Sequence, residues 1–438
     1  MNQISNQPPK GTSDWLPLEY AKRKYIFDTW RKVCLSFGYE EYLTPIIESA
    51  DVYRAKSGED VGGKELMTMV DRAGRELAIR PEMTPSVTRM VSKIYESSPK
   101  PIRLFSIANF LRNEKPQKGR NREFWQLNCD IFGSDSINAD IEILQLAIEI
   151  MREFGATKDQ FIVYYNDRRL IESLVTDFLK VDKSKISEAT RILDKFGKIN
   201  NDEFIIRLRQ EVGAKIDNPS FLIDFLNLEE AAVAEVYATY FKDTENVKPA
   251  MLIDSKLEGL GLREYTKYNP SMVRGFDYYD GMVFEVFDKK DYLKRKGQLK
   301  TSESFRSLFG GGRYNGLASI FGGQSFPAVG FAPGDETTKI FLEEYGLLNI
   351  DQEDFKTYYV PILQENLSNK VLNLASILRQ GEKNIVKVGL EPQKLGKALD
   401  YANKIQADYV VILGENELAE GKYILKDMKS GEQMELKL

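Results

Sequence analysis

Two strand-like stretches, residues 102–110 and 124–132, flank a polar loop that begins at Arg112 and carries Lys115, Lys118, Arg120 and Arg122. Apolar runs on either side of such a loop predict a β-hairpin, and a loop this long inside a compact domain is usually a functional one. No other segment constrains the fold as much, because the hairpin demands an antiparallel sheet. Arg112 would stand on the first strand, close to the loop. A planar guanidinium held there can grip a phosphate through two parallel hydrogen bonds, whereas the loop lysines supply point charges. The segment therefore predicts a phosphate clamp, set against the plainer reading of a solvated basic hairpin.

The chain has 438 residues and no histidine. Without an imidazole, Ser-His-Asp and Cys-His machinery and most His-dependent metal hydrolysis are excluded. Chemistry that needs no imidazole stays open, in which ionised carboxylates react and arginine or magnesium stabilises negative charge. The only two cysteines, Cys34 and Cys129, predict buried thiols rather than a disulfide, and no structural metal site is expected. The length suggests about three domains at ~150 residues each.

Residues 1–9 lack the apolar core of a signal peptide, and no apolar run approaches the ~20 residues that span a bilayer, so a cytoplasmic protein with no membrane partner is expected. A net charge of −5 argues against indiscriminate coating of nucleic acid, so any docking of a polyanion falls to local basic surface. Lys289, Lys290, Lys294, Arg295, Lys296 and Lys300 form one candidate backbone contact, with a solvated loop as the plainer reading.

Pro17 opens a segment in which Ile26, Trp30, Val33 and Phe37 recur at helical spacing, and Gly38 stops it. An extended segment, residues 42–47, follows with Pro45 inside it, which places it at a sheet edge or boundary. After the hairpin, Ile141, Leu144, Ile148 and Met151 mark a helix ending near Gly155, and residues 161–165 read as a strand. From about 170 to 262 the chain turns helical and charged, with Ile186, Ile192, Phe196, Phe204, Ile206, Phe221, Phe225 and Leu228 as expected core. An acidic stretch at 349–354 reads as a linker. Beyond it, strands at 358–363, 385–388 and 409–413 alternate with helices at about 366–380 and 393–405, which predicts a small α/β domain.

Five segments stand in order along the chain: Arg80-Pro-Glu-Met-Thr84, Arg112 to Gln126, Met272-Val-Arg-Gly-Phe-Asp-Tyr-Tyr279, Gly310-Gly-Gly-Arg-Tyr-Asn-Gly316 and Pro327-Ala-Val-Gly-Phe-Ala-Pro-Gly-Asp-Glu336. Together they resemble the histidyl-tRNA synthetases, a branch of the class II aminoacyl-tRNA synthetases, over almost the whole chain. The resemblance implies a multidomain α/β and α+β protein. A class II catalytic domain built on an antiparallel sheet would occupy residues 1–168 and 265–346, interrupted by a helical insertion at 169–264. A linker at 347–356 would lead to an α/β anticodon-binding domain at 357–438. It implies a homodimer, ATP with its Mg2+, histidine and tRNA(His) as partners, and a reaction that forms histidyl-adenylate and charges the tRNA.

Residue by residue, the resemblance gives Arg112 and Arg274 the catalytic positions on either side of the α-phosphate. Arg112, Glu114 and Arg120 are then the ATP contacts. Glu82, Thr84, Gln126, Asp130, Arg274, Tyr278, Tyr279 and Gly311 are the histidine contacts, and Lys115 and Gln117 the contacts with the tRNA acceptor end. Three positions depart from the family pattern, the first being Lys115, where arginine is common. Asp130 stands where glutamate is usual, and Gly334-Asp-Glu-Thr337 stands where a Gly-Leu-Glu-Arg pattern is common, so Thr337 supplies no charge: either Arg313 or Arg120 compensates, or ATP is bound more weakly than usual, or the chain is a non-charging relative. The alternative is a non-charging regulatory paralogue that acts with ATP phosphoribosyltransferase in histidine biosynthesis. Such paralogues typically lack the anticodon-binding domain and parts of the second motif, both of which this chain keeps.

Overall fold

The computed structural model describes residues 4–55, 60–117, 119–228, 237, 244–273, 278–290, 307–322, 324–350 and 355–438. They form two units, residues 1–349 and 350–438. Strands of the first unit, in chain order, are β1 (Glu40–Glu41), β2 (Ile47–Ser49), β3 (Met67–Val70), β4 (Glu76–Ile79), β5 (Ile102–Leu111) and β6 (Glu123–Phe132). They continue with β7 (Phe161–Asp167), β8 (Thr266–Tyr268), β9 (Met282–Asp288), β10 (Phe309–Arg313) and β11 (Ala328–Phe331). Eight of them make one sheet in the order β1-β5-β6-β11-β10-β9-β7-β8. Its six inner strands pair antiparallel, and only the short edge strands β1 and β8 run parallel to their neighbours.

The hairpin at 102–132 is the spine of this sheet, one residue longer on each strand than its apolar pattern predicts. Alternation along it sorts the side chains onto two faces. Phe105, Leu127, Cys129 and Ile131 go to a face covered by three helices, α1 (Pro17–Ser36), α3 (Ile137–Glu153) and α4 (Asp335–Glu344). Ile26, Trp30, Leu144 and Ile148 are fully buried there, and each such side chain contributes roughly 1.5–3 kcal/mol. Leu104, Ala108, Phe110 and Phe132 go to the opposite face, packed by Met83, Val87 and Val91 at and within α2 (Thr84–Ile94). Gln126, Asn128 and Asp130 share this second face by the same alternation.

The extended segment around Pro45 divides its pairing between two sheets. Glu40 and Glu41 pair with β5, whereas residues 47–49 pair with β4 in a three-stranded sheet ordered β2-β4-β3. Strand β4 runs directly into Arg80 and Glu82, so the small sheet delivers those residues to the second face of the large one.

Among the described residues, helices Arg168–Ser173, Ile186–Leu193, Asn201–Val212, Pro219–Leu226 and Thr244–Gly259 occupy the segment after β7. Two expected core positions there are corrected: Ile206 is 49% and Leu228 39% exposed. Phe204, Leu208 and Val212, spaced by four, set the buried face together with Ile205, and Ile206 falls one helical step beyond it.

The second unit is a five-stranded sheet in the order β13-β12-β14-β15-β16, built from β12 (Lys356–Val360), β13 (Asn384–Val388), β14 (Tyr409–Ile412), β15 (Lys422–Asp427) and β16 (Gln433–Lys437). The first three strands run parallel, and β15 and β16 add an antiparallel hairpin. Helices α5 (Ser368–Leu378) and α6 (Leu395–Lys404) cover opposite faces. Val371 and Leu374 of α5 pack on Val360 and Val411, and Ala398 and Ala402 of α6 pack on Tyr359 and Val410.

Candidate active site

Asp130 is fully buried on the second face of the large sheet, and its Oδ1 accepts a 2.5 Å hydrogen bond from the Tyr314 hydroxyl. The Tyr314 ring packs against Tyr278 at 5.8 Å, and the Tyr278 hydroxyl donates to Glu82 Oε2 at 3.1 Å. Two carboxylates from distant parts of the chain are thereby joined through two tyrosines. Burial pushes the Asp130 carboxyl up to about 7, with the Tyr314 hydroxyl pulling the other way. Asp130 Oδ2, Asn128 Oδ1 and Gln126 Oε1 are buried with no hydrogen-bond partner among the described residues. The buried Ser106 and Tyr42 hydroxyls stand among them, and the three acceptors suit a ligand that brings donors, because a buried acceptor left unmatched costs about 1–3 kcal/mol.

Glycine makes the room. Gly330 faces Asp130 across the strands, and a Cβ there would lie 2.1 Å from Asp130 Oδ1. A Cβ on Gly312 would lie 2.8 Å from the Tyr279 ring. Gly311 differs from both: its Cβ would run into the Gly330 carbonyl and Phe331, which belongs to the helix-covered face.

At the mouth of the hairpin, Arg112 follows β5 directly. Its Nε donates to the Pro81 carbonyl at 3.0 Å, and its guanidinium lies over the Phe124 ring at 5.0 Å. The loop turns at Gln117 and Arg120, whose backbones bond each other at 3.0 and 2.8 Å, with Gly119 at φ +75° inside the turn. Arg120 reaches back to the Glu114 carboxylate at 3.2 Å, Arg122 Nε donates to the Glu114 carbonyl, and Lys115 is exposed. Lys118, Arg274, Asp277, Lys294, Arg295, Lys296 and Lys300 lie outside the described residues.

The far end of the site is joined to the hairpin by one backbone–backbone bond and two between a side chain and a backbone group. Leu127 N donates to the Pro333 carbonyl, Gln126 Nε2 to the Ala332 carbonyl, and Trp125 N to Asp335 Oδ1, each at 3.0 Å. Thr337 sits in the first turn of α4 with its hydroxyl donated back to the Leu308 and Gly334 carbonyls. Arg313 does not reach this place. Its guanidinium is buried on the helix-covered side, bonded to both oxygens of Asp140 and to the Ser134 and Ser136 carbonyls. Arg120 is the nearer cation, since its neighbour Gly119 approaches Thr337.

Buried acceptors on one face of an antiparallel sheet thus stand on the same hairpin that leads into Arg112. The sequence family described as histidyl-tRNA synthetase matches residues 11–334. The chain belongs to the histidyl-tRNA synthetase family. A second family, described as an anticodon binding domain, matches residues 356–438. A histidine–tRNA ligase from Leptospira biflexa is 38% identical over 431 residues, 98% of this chain and 95% of that protein. One from Pyrococcus horikoshii is 34% identical over 434 residues, 98% and 96% of the two chains. The crystal structure of the histidyl-tRNA synthetase from Nostoc sp. PCC 7120 superposes with a TM-score of 0.77 at 23% identity, covering 99% of this chain and 97% of that one. The class II synthetase fold is thereby shown.

Among the residues that the family resemblance singles out, Glu82, Gln126, Asp130, Tyr278 and Tyr279 share the second face with Thr84 at the start of α2. The glycine run 310–312 was expected to let backbone approach the substrate closely, whereas sequence reasoning did not single out Tyr314, Asn128 or Gly330. Strand parity was the signal available for the first two, because 312 and 314 face one way on β10 and its extension, as 126, 128 and 130 do on β6.

Proposed function

We propose that this chain is a histidine–tRNA ligase, which activates histidine with ATP and passes the histidyl group to the 3′ end of tRNA(His). The set of buried acceptors at Gln126, Asn128 and Asp130 carries the reading, since histidine offers an ammonium and an imidazole N–H to such a set. Glu82 would take the ammonium, and Asp130 with Tyr314 the imidazole. The substrate carboxylate then attacks the α-phosphorus, and the bond to the bridging oxygen of pyrophosphate breaks. Arg112 would neutralise the charge gathered on the α-phosphate, with Arg274 opposite it. In the second step a ribose hydroxyl of the tRNA terminus attacks the carbonyl, and AMP leaves.

Magnesium would reach the site on the ATP phosphates, where it neutralises charge on pyrophosphate. Among the described residues no group of three His, Cys, Asp or Glu side chains could hold an ion. Arg120, with Glu114 beside the adenine, would serve ATP, while Lys115 and Gln117 at the loop would meet the acceptor end. Residues 169–264 are proposed as an inserted domain and 347–356 as a linker.

A homodimer is supported by the exposed apolar side chains of Leu43, Ile46, Ile47 and Val70 beside the small sheet. No helix among the described residues is long and apolar enough to cross a membrane, and a cytoplasmic location is proposed. The regulatory reading is not favoured, because the anticodon-binding family accounts for the second unit. Histidine-dependent ATP–pyrophosphate exchange tests the ligase reading. Exchange with histidine alone among the amino acids, lost in Arg274→Ala, is expected; bound histidine without exchange would restore the regulatory alternative.

A further inference from the structure

Arg80 is 3% exposed, and among the described residues its guanidinium forms no ion pair; its hydrogen bonds go to neutral oxygens on two other segments. Nε donates to the Asn109 carbonyl at 2.8 Å, Nη2 to the Asn109 side chain at 3.2 Å, and Nη1 to the Thr44 carbonyl at 2.8 Å. Burial of a cation without a counter-charge is costly, and here it pushes the guanidinium pKa below its ordinary range. A side chain retained on such terms calls for a reason beyond packing.

The same guanidinium lies over the Phe110 ring at 5.3 Å. Phe110 stacks on Phe124 at 5.7 Å with their planes 29° apart, and Arg112 lies over Phe124 at 5.0 Å. Four planar groups thus form a ladder with a cation at each end. The backbone ties the two ends a second time, since Leu111 N donates to the Arg80 carbonyl at 3.1 Å and Arg112 Nε to the next carbonyl, that of Pro81. We propose that Arg80 is a positioning residue for adenylate formation, which sets the tilt of Phe110 and, through Phe124 and the Pro81 carbonyl, the plane of the Arg112 guanidinium. The proposal rests on the ligase reading above. Lysine would keep the charge but lose both the plane and the fork that the ladder uses.

The test is histidine-dependent ATP–pyrophosphate exchange on the full-length protein, with rates expressed per active site counted from the adenylate burst, so that misfolded protein drops out. Arg80→Lys and Phe110→Leu are each expected to lower kcat by about tenfold or more, as a small misplacement of a catalytic group does. Phe110→Leu keeps an apolar side chain in the buried layer and is expected to leave KM for histidine unchanged. The combined variant is expected to lose little more than the worse single one, because both break one ladder. An unchanged kcat per active site in either variant, or losses that multiply, would overturn the positioning role. Absence of exchange in the unsubstituted protein would instead remove the ligase reading, and this role with it.

Discussion

In residues 355–438 the buried side chains are apolar, whereas the first unit buries Arg80, Glu82, Asn128, Asp130 and Arg313; among the described residues every buried polar or charged side chain lies in residues 4–349. Both units are sheets covered by helices. The second has a helix on each face, so alternate residues along its strands meet apolar partners on both sides. The large sheet has three helices on one face, whereas on the other α2 covers part and further strand positions go to carboxylates, amides and glycines. Stability built into one unit and relinquished in the other is what local conflict with folding rules at a working site looks like.

The largest effect expected of this contrast is at Glu82. Glu82→Gln keeps the shape and removes the charge, and is expected to lower histidine-dependent exchange by roughly 10²–10³-fold, with the melting temperature held or raised. A variant with full activity would dissolve the contrast. Asp130 sharpens it through pH. Below pH ~4 the folded and unfolded forms both carry its proton. Between about 4 and 7 the folded form keeps a proton that the unfolded form releases, so stability falls as pH rises through that window. Asp130→Asn is expected to stabilise the ligand-free protein at pH 8 by on the order of a few kcal/mol, with the gain vanishing near pH 4, while histidine activation is lost. Urea unfolding at the two pH values reads this, and equal gains at both would sink the assignment.

Val411→Ala, in the second unit, should behave oppositely. A loss of about 2 kcal/mol in the unfolding of that unit is expected, with pyrophosphate exchange unchanged and tRNA charging reduced where the unit melts. The smallest effect concerns the missing charge at Thr337. Arg120→Ala is expected to raise KM for ATP several-fold, about the worth of one exposed charge, and Thr337→Arg in the same chain to restore it. Failure of the second change to help would show that the first turn of α4 does not face the nucleotide.

Regular elements were legible because local physics decides them. Pro17 and Gly38 bound α1 as expected, with Gly38 at φ +78°, and β14 and α6 fall within a residue or two of their apolar patterns. The antiparallel hairpin β15–β16 was not read as strands, since β16 is exposed along its whole length and leaves no alternation to see. At the site, charge and motif pointed to Glu82, Arg112 and Asp130. Tyr314 stayed hidden because its importance comes from pairing β10 two strands away from β6, a register that no local pattern encodes. Arg313 misled for the same reason: one position along a strand sends a side chain to the other face.

Gly330 and Asp130 also make a statement about descent. The carboxylate at 130 occupies the volume that any side chain at 330 would need, so the glycine is not free to drift in a lineage. A Cβ at 330 would also lie 2.6 Å from the Cys129 carbonyl, so loss of the carboxylate alone would not admit a side chain there. In an alignment of relatives position 330 should therefore stay glycine even where the residue at 130 changes.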